Sequence, residues 1–168
     1  MDRRASAGEA LNGLRLVEGD DDDGLARLRS AGMPDLEAFV AKFAAYWAAP
    51  TTGLRELLAD DIRLVQPLSR PAIGLDAAAR WFASTLRAIP DLRGEVDRWS
   101  GCGELLFIEF RLSGTIGRRW IEWPVVDRFR IGADDRAHER ISYFDPLPLL
   151  AAGLRSPRGW LQLVRTRR

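Results

Sequence analysis

The run from Ile121 to Ile131 alternates so strictly that it fits one backbone conformation. Ile121, Trp123, Val125, Asp127, Phe129 and Ile131 fall on one side, and Glu122, Pro124, Val126, Arg128 and Arg130 on the other. A period of two marks a half-buried strand whose first set faces the core. Asp127 lies on that apolar face. A carboxylate there is costly unless it is paired, hydrogen-bonded or protonated. It is the sort of group an internal pocket uses for binding or proton transfer. The pattern therefore points to a pocket with an acid in it and leaves the ligand open.

Beside that strand, the chain reads as one domain with extensions. At 168 residues it is long enough to bury a core. Its 25 basic and 24 acidic residues nearly cancel, so no overall field argues for nucleic acid or a membrane surface as partner. Lys42 is the only lysine, and the arginine, alanine and glycine usage reads as a GC-rich, bacterial genome. The lone Cys102 excludes an intramolecular disulfide and fits a reducing cytoplasm. No apolar run reaches transmembrane length, and the N-terminus lacks the apolar core of a signal peptide.

Residues 1–33 scatter their leucines among Gly, Arg and the acidic run Asp20–Asp23, and are expected to form a flexible extension. The domain proper is expected at 34–154, and the basic segment 155–168 as a tail. Pro34 suits a first helical position, followed by the stripe Leu36, Phe39, Val40, Phe43, Ala44 and Trp47. A short helix with Leu54, Leu57 and Leu58 and a strand from Ile62 to Val65 come next. The segment Pro67 to Gly74 holds two prolines and a glycine and reads as a loop. Asp76 can cap a helix over Ala77–Ile89. Strands then dominate, at about Arg93–Ser100, Leu105–Ser113, Trp120–Ile131 and Ala137–Phe144, and Asp145-Pro146 opens a last short helix. Helices first and strands after predict an α+β fold, with helices on one face of a curved, mostly antiparallel sheet and a cone-shaped pocket between the layers.

The last hairpin sharpens the pocket. A turn centred on Ala133-Asp134 places Asp127 opposite Arg140, Phe129 opposite His138 and Val125 opposite Ser142, all facing inward. The cavity would then hold an acid, a guanidinium and an imidazole; alternatively, Asp127 and Arg140 form a structural ion pair with His138 at the edge. For Glu109, a two-residue turn gives the outer face opposite Glu122, and a three-residue turn gives the cavity opposite Trp123. Gln66 ends the first strand where it could line the cavity mouth, and Trp123 could form a wall. One histidine and one cysteine make no standard zinc site, and there is no P-loop, dinucleotide-binding glycine pattern or nucleophile elbow.

The segments LLADDIRLVQP, FIEFRLSGTIG, PVVDRFRI and SYFDP, with Gly74 opening the third helix, resemble the SnoaL-like branch of the nuclear transport factor 2-like superfamily over roughly Asp35 to Leu150. That resemblance implies a cone-shaped helix-and-sheet fold, a deep pocket for a small apolar molecule, no obligatory cofactor and a homodimer. Asp127 falls where ketosteroid isomerases keep a protonated aspartic acid, a carboxyl held neutral so that it can donate a hydrogen bond. The isomerase base falls at Gln66, which takes no proton, and the oxyanion tyrosine near Lys42 or Phe43. The aspartate that polyketide cyclases and epoxide hydrolases keep before Tyr-Phe-Asp is Ser142 here. The epoxide hydrolase Arg-x-Asp pair is represented by Glu109-x-Arg111 with reversed charges, which moves Glu109 toward the pocket. Two functions are therefore expected. One is a cofactor-free isomerase, cyclase or epoxide hydrolase with Asp127 as acid or hydrogen-bond donor, Arg140 orienting it or stabilising an oxyanion, and His138 or Glu109 as base. The other is a non-catalytic domain that binds a ligand or a partner.

Overall fold

Asp35 starts the ordered helical layer: its carboxylate accepts a hydrogen bond from the Ala38 amide at 3.0 Å, so the helix begins at Leu36 and Pro34 stays outside it. In the computed structural model, which describes residues 32–50 and 53–154, the elements run as follows. Helix α1 is Leu36–Ala48, the single turn α2 is Leu54–Leu57, β1 is Leu58–Val65, β2 is Ala72–Ile73 and α3 is Leu75–Ala88. Strands β3 (Arg93–Cys102), β4 (Leu105–Ile116), β5 (Arg119–Ile131) and β6 (Ala137–Tyr143) follow, and α4 is Leu147–Leu154. Except for Gly32 and Met33, the expected N-terminal extension lies outside the described residues, as does the expected basic tail.

The six strands form one curved, unclosed sheet in the order β2-β1-β6-β5-β4-β3. Every pairing is antiparallel except β1 with β6, where the chain crosses over through α3 and the long β3–β5 meander. The expected α+β cone is thus the observed architecture. Three local expectations are corrected. Ala72–Ile73 pairs with Arg63 and Leu64 inside the segment read as loop. Helix α3 starts at Leu75 behind Gly74, which makes no side-chain cap, so Asp76 sits in the first turn and does not cap it. Strand β4 runs on to Ile116 because Gly114 stays extended in the ladder opposite Ile121.

Alternation along β4 and β5 puts Leu106, Ile108, Phe110, Trp123, Val125, Asp127 and Phe129 inside. The stripe of α1 meets them: Phe43 packs edge-on to Phe110 at 5.1 Å and to Phe129 at 5.5 Å between ring centroids. Helix α1 crosses β3 where Gly94 has no side chain; a Cβ there would lie 2.9 Å from the Trp47 Cβ. Close approach at Gly94 is what lets Trp47 reach over the sheet, tilted against Phe110 at 6.0 Å and Phe82 at 6.0 Å. The helical layer is held at its far end by the Asp35 amide, which donates to Asp135 Oδ1 at 2.7 Å in the β5–β6 turn.

Candidate functional site

A cavity of about 100 Å³ lies between the helices and the inner face of the sheet. Its apolar wall includes Trp47, Trp81, Ile89, Leu112 and Val125, with Leu149 of α4 closing one side. Gln66, Ser69, Thr85, Trp123, Arg140 and Ser142 supply the polar side chains. Leu68 also lines it, in left-handed backbone at φ 65°, a conformation that costs a side-chain-bearing residue about 1–2 kcal/mol. Among the described lining residues only Arg140 is ionisable.

Asp127 is fully enclosed and stands behind Arg140 rather than on the cavity wall. Arg140 Nε donates to Asp127 Oδ2 at 2.6 Å, and its guanidinium lies over the rings of Phe82, Trp47 and Phe129 at 5.5, 5.7 and 5.9 Å. Aromatic faces carry negative potential and so offset part of the cost of burying the cation. Burial pushes the Asp127 carboxyl above its ordinary range, against the opposing pull of the Arg140 charge and the nearby Ser142 hydroxyl. The sign follows: the folded protein holds this proton more tightly than the unfolded chain does. The corresponding stability is present below the ordinary carboxylate value and is lost as pH rises through the raised one. Tyr46, one turn beyond Phe43, is pushed up to about 12 by burial, with the Arg140 charge pulling the other way.

The register of the last hairpin differs from the expected one. The turn is longer than two residues: Gly132 N bonds Arg136 O, Asp135 takes φ 56°, and a bulge follows at His138. Pairing is displaced by two residues, so Asp127 faces Ser142 and Arg140 faces Phe129. A displacement of two preserves which side each residue faces. Arg140 and Ser142 therefore still point inward, and the ion pair forms on the diagonal.

His138 is corrected most clearly. It is the extra residue of the bulge, half-buried at the rim, with Nδ1 2.7 Å from Asp61 Oδ1 and Nε2 3.2 Å from Asp134 Oδ1. It does not reach the cavity. Glu109 is corrected as well. The β4–β5 turn has two residues, Gly117 and Arg118, so Glu109 lies on the outer face, opposite Val126 rather than Glu122. There its oxygens accept from Arg98 at 2.6 and 3.1 Å, and those hydrogen bonds hold its carboxyl below the usual range. Phe43 and Phe129 line a separate gap of about 10 Å³ on the other side of Arg140, away from the main cavity. Gln66, Trp123 and Ser142 are on the cavity wall, Trp123 by the alternation of β5, Gln66 just past the end of β1, and Ser142 although its partner is Asp127 rather than Val125. Sequence reasoning missed Tyr46, Trp81 and Ser69. Tyr46 was detectable, since it continues the Phe39–Phe43 spacing by one helical step.

Among the described residues no group of three or more His, Cys, Asp or Glu could hold a metal ion. No helix among them is long and apolar enough to cross a membrane.

The SnoaL-like domain model matches residues 36–140, most of the chain, from α1 into β6. The chain belongs to the SnoaL-like domain family. Solved structures share this SnoaL-like architecture at low identity. A candidate SnoaL-like polyketide cyclase from Jannaschia is 19% identical over 68% of this chain and 88% of its own, with a TM-score of 0.61. IdmH, a candidate polyketide cyclase from Streptomyces antibioticus, is 19% identical over 69% of this chain and 96% of its own, with a TM-score of 0.61. A Catenulispora acidiphila protein with a ketosteroid isomerase-like fold, in complex with trimethylamine, is 19% identical over 64% and 85%, with a TM-score of 0.57. At these identities the likeness to each SnoaL-like neighbour is one of fold. No curated protein matches the chain significantly.

Proposed function

We propose that this SnoaL-like protein binds a small, largely apolar molecule in the cavity, with Arg140 as its polar anchor, and supplies no proton-transfer base there. One observation carries this reading: the cavity wall combines a mostly apolar lining with a single ionisable group. Pockets of that composition fix a ligand by shape and orient it by a few polar contacts. With the His138 ring in contact with Asp61 and Asp134, and Glu109 paired with Arg98 on the outer face, the described wall residues offer proton transfer no base. The neighbours described as candidate polyketide cyclases favour a second reading, a cofactor-free reaction in which Arg140 stabilises charge on the substrate and the base is the substrate's own or solvent's.

A thermal-shift screen of small hydrophobic metabolites tests the binding reading. A ligand at about a hundredfold over its Kd adds about 2.7 kcal/mol to folding stability. We expect hits whose shift disappears in Leu112→Trp, which fills the cavity. A broad screen without hits, or hits unaffected by Leu112→Trp, contradicts it.

We also propose a cytoplasmic homodimer joined through the outer face of the sheet. There Phe107, Val126 and Tyr143 stand exposed between the Arg98–Glu109 and Arg128–Glu139 ion pairs, an apolar strip with a charged rim. Light scattering should give about twice the 18.8 kDa chain mass, falling to one chain in Val126→Arg. A monomer at high protein concentration rejects the dimer.

A further inference from the structure

Arg140 commits only its Nε to Asp127, a side-on contact that leaves the Nη1/Nη2 end without a hydrogen bond to any described residue. That end is a fork of parallel N–H donors whose spacing matches the two oxygens of a carboxylate. The neighbouring polar atoms favour an acceptor too. Trp123 Nε1, which can only donate, is buried on the cavity wall with no partner. Among the described residues no carboxylate shares the wall to repel an anion.

An anion arriving at Arg140 sets two negative groups around one positive one in an enclosed site, where both cannot stay ionised cheaply. Asp127 has a place for the proton that resolves this. Its Oδ1 is buried without a hydrogen-bond partner, and so is the Oγ of Ser142, the residue directly opposite. A proton on Oδ1 would make Asp127 a donor facing a hydroxyl acceptor. The surrounding elements offer no competing site. Arg140 comes from β6, Tyr46 from α1 is held protonated up to about 12, β4 contributes Ile108 directly opposite Asp127, and α3 contributes Phe82.

Resting on the binding reading above, we propose that the ligand is a small carboxylic acid, bound as its carboxylate on the outer end of Arg140 while Asp127 takes up one proton from solvent. Anion, guanidinium and neutral carboxylic acid then sum to zero charge. The volume of about 100 Å³ approaches the roughly 150 Å³ known to hold a benzene ring, so single-ring or short branched acids are the matching size.

Titration calorimetry with benzoate, benzamide and toluene tests this on the whole protein. The three share a ring and differ in charge and polarity. Near neutral pH we expect benzoate to bind at least about tenfold tighter than benzamide. The heat should differ between phosphate and Tris buffers by the amount for about one proton taken up per benzoate, with affinity falling about tenfold per pH unit. Asp127→Asn should keep benzoate binding and abolish the buffer difference; if that variant does not fold, the wild-type comparison of buffers already decides. Benzamide or toluene binding as tightly as benzoate overturns the proposal and leaves the pocket reading standing. Tight benzoate binding without proton uptake overturns the role of Asp127. If none of the three binds, the pocket reading falls and the proposal with it.

Discussion

Replacing Arg140 by methionine should lower folding stability by about 3–5 kcal/mol near neutral pH, the usual result of leaving one partner of a buried ion pair behind. The Asp127 carboxyl would remain fully enclosed with its only cation gone, and the aromatic faces of Trp47, Phe82 and Phe129 offer it nothing. It can escape only by taking a proton. The loss should therefore be smaller at about pH 5 than at about pH 8, because a neutral Asp127 costs less to bury. Urea unfolding at both values measures this. Removing both charges together, as Asp127→Leu with Arg140→Met, should return most of the lost stability, since an apolar pair of similar volume commonly replaces a buried ion pair at little cost. A double variant less stable than Arg140→Met alone would show that the site depends on the charges themselves.

Phe129→Ala should cost a similar about 3–5 kcal/mol through lost packing. Phe129 is 1% exposed and packs edge-on to Phe39 at 5.2 Å and to Phe43 at 5.5 Å. The same side chain provides one of the three rings under Arg140, so truncation opens a cavity beside the ion pair. The fitting control is Ile73→Ala on β2, where the side chain is 72% exposed. Its cost to the folded chain should stay below about 1 kcal/mol, the usual range for surface positions. Chemical denaturation of the two variants side by side checks the contrast, and equal losses would mean that Phe129 is not the keystone of the α1–sheet contact.

Much of this architecture was written in alternation. The face carrying Trp123, Val125, Asp127 and Phe129 is buried as read, and so is the stripe Phe39, Val40, Phe43 and Trp47 that meets it. What alternation cannot carry is the pairing between strands. The β5–β6 turn gains length from a left-handed Asp135 and a bulge at His138, and neither leaves a mark that a period of two would detect. Arg140 survived that error because the displacement was two residues; His138 did not, because a bulge turns a single residue out of the ladder. Glu109 depended on a turn that a sequence reading starts at Gly114. Gly114 is instead extended in β4, where a Cβ would lie 2.5 Å from Ile89 Cγ2, so its lack of a side chain serves close packing rather than a turn. The diagonal between Asp127 and Arg140, and the position of the acid behind the cation rather than on the cavity wall, emerge only from tertiary packing.

Everything proposed for the cavity depends on the Asp127 carboxyl being shut away from water behind the guanidinium. A carbon-13 NMR titration of aspartate side chains, assigned by comparison with Asp127→Asn, reads that carboxyl directly. It should gain its proton at a pH above the about 3.9 of an unperturbed aspartate, because burial outweighs the pull of Arg140. A midpoint at or below that value would contradict this: the carboxyl would then be hydrated or held mainly by charge, and the enclosed pair at the floor of the cavity would not exist.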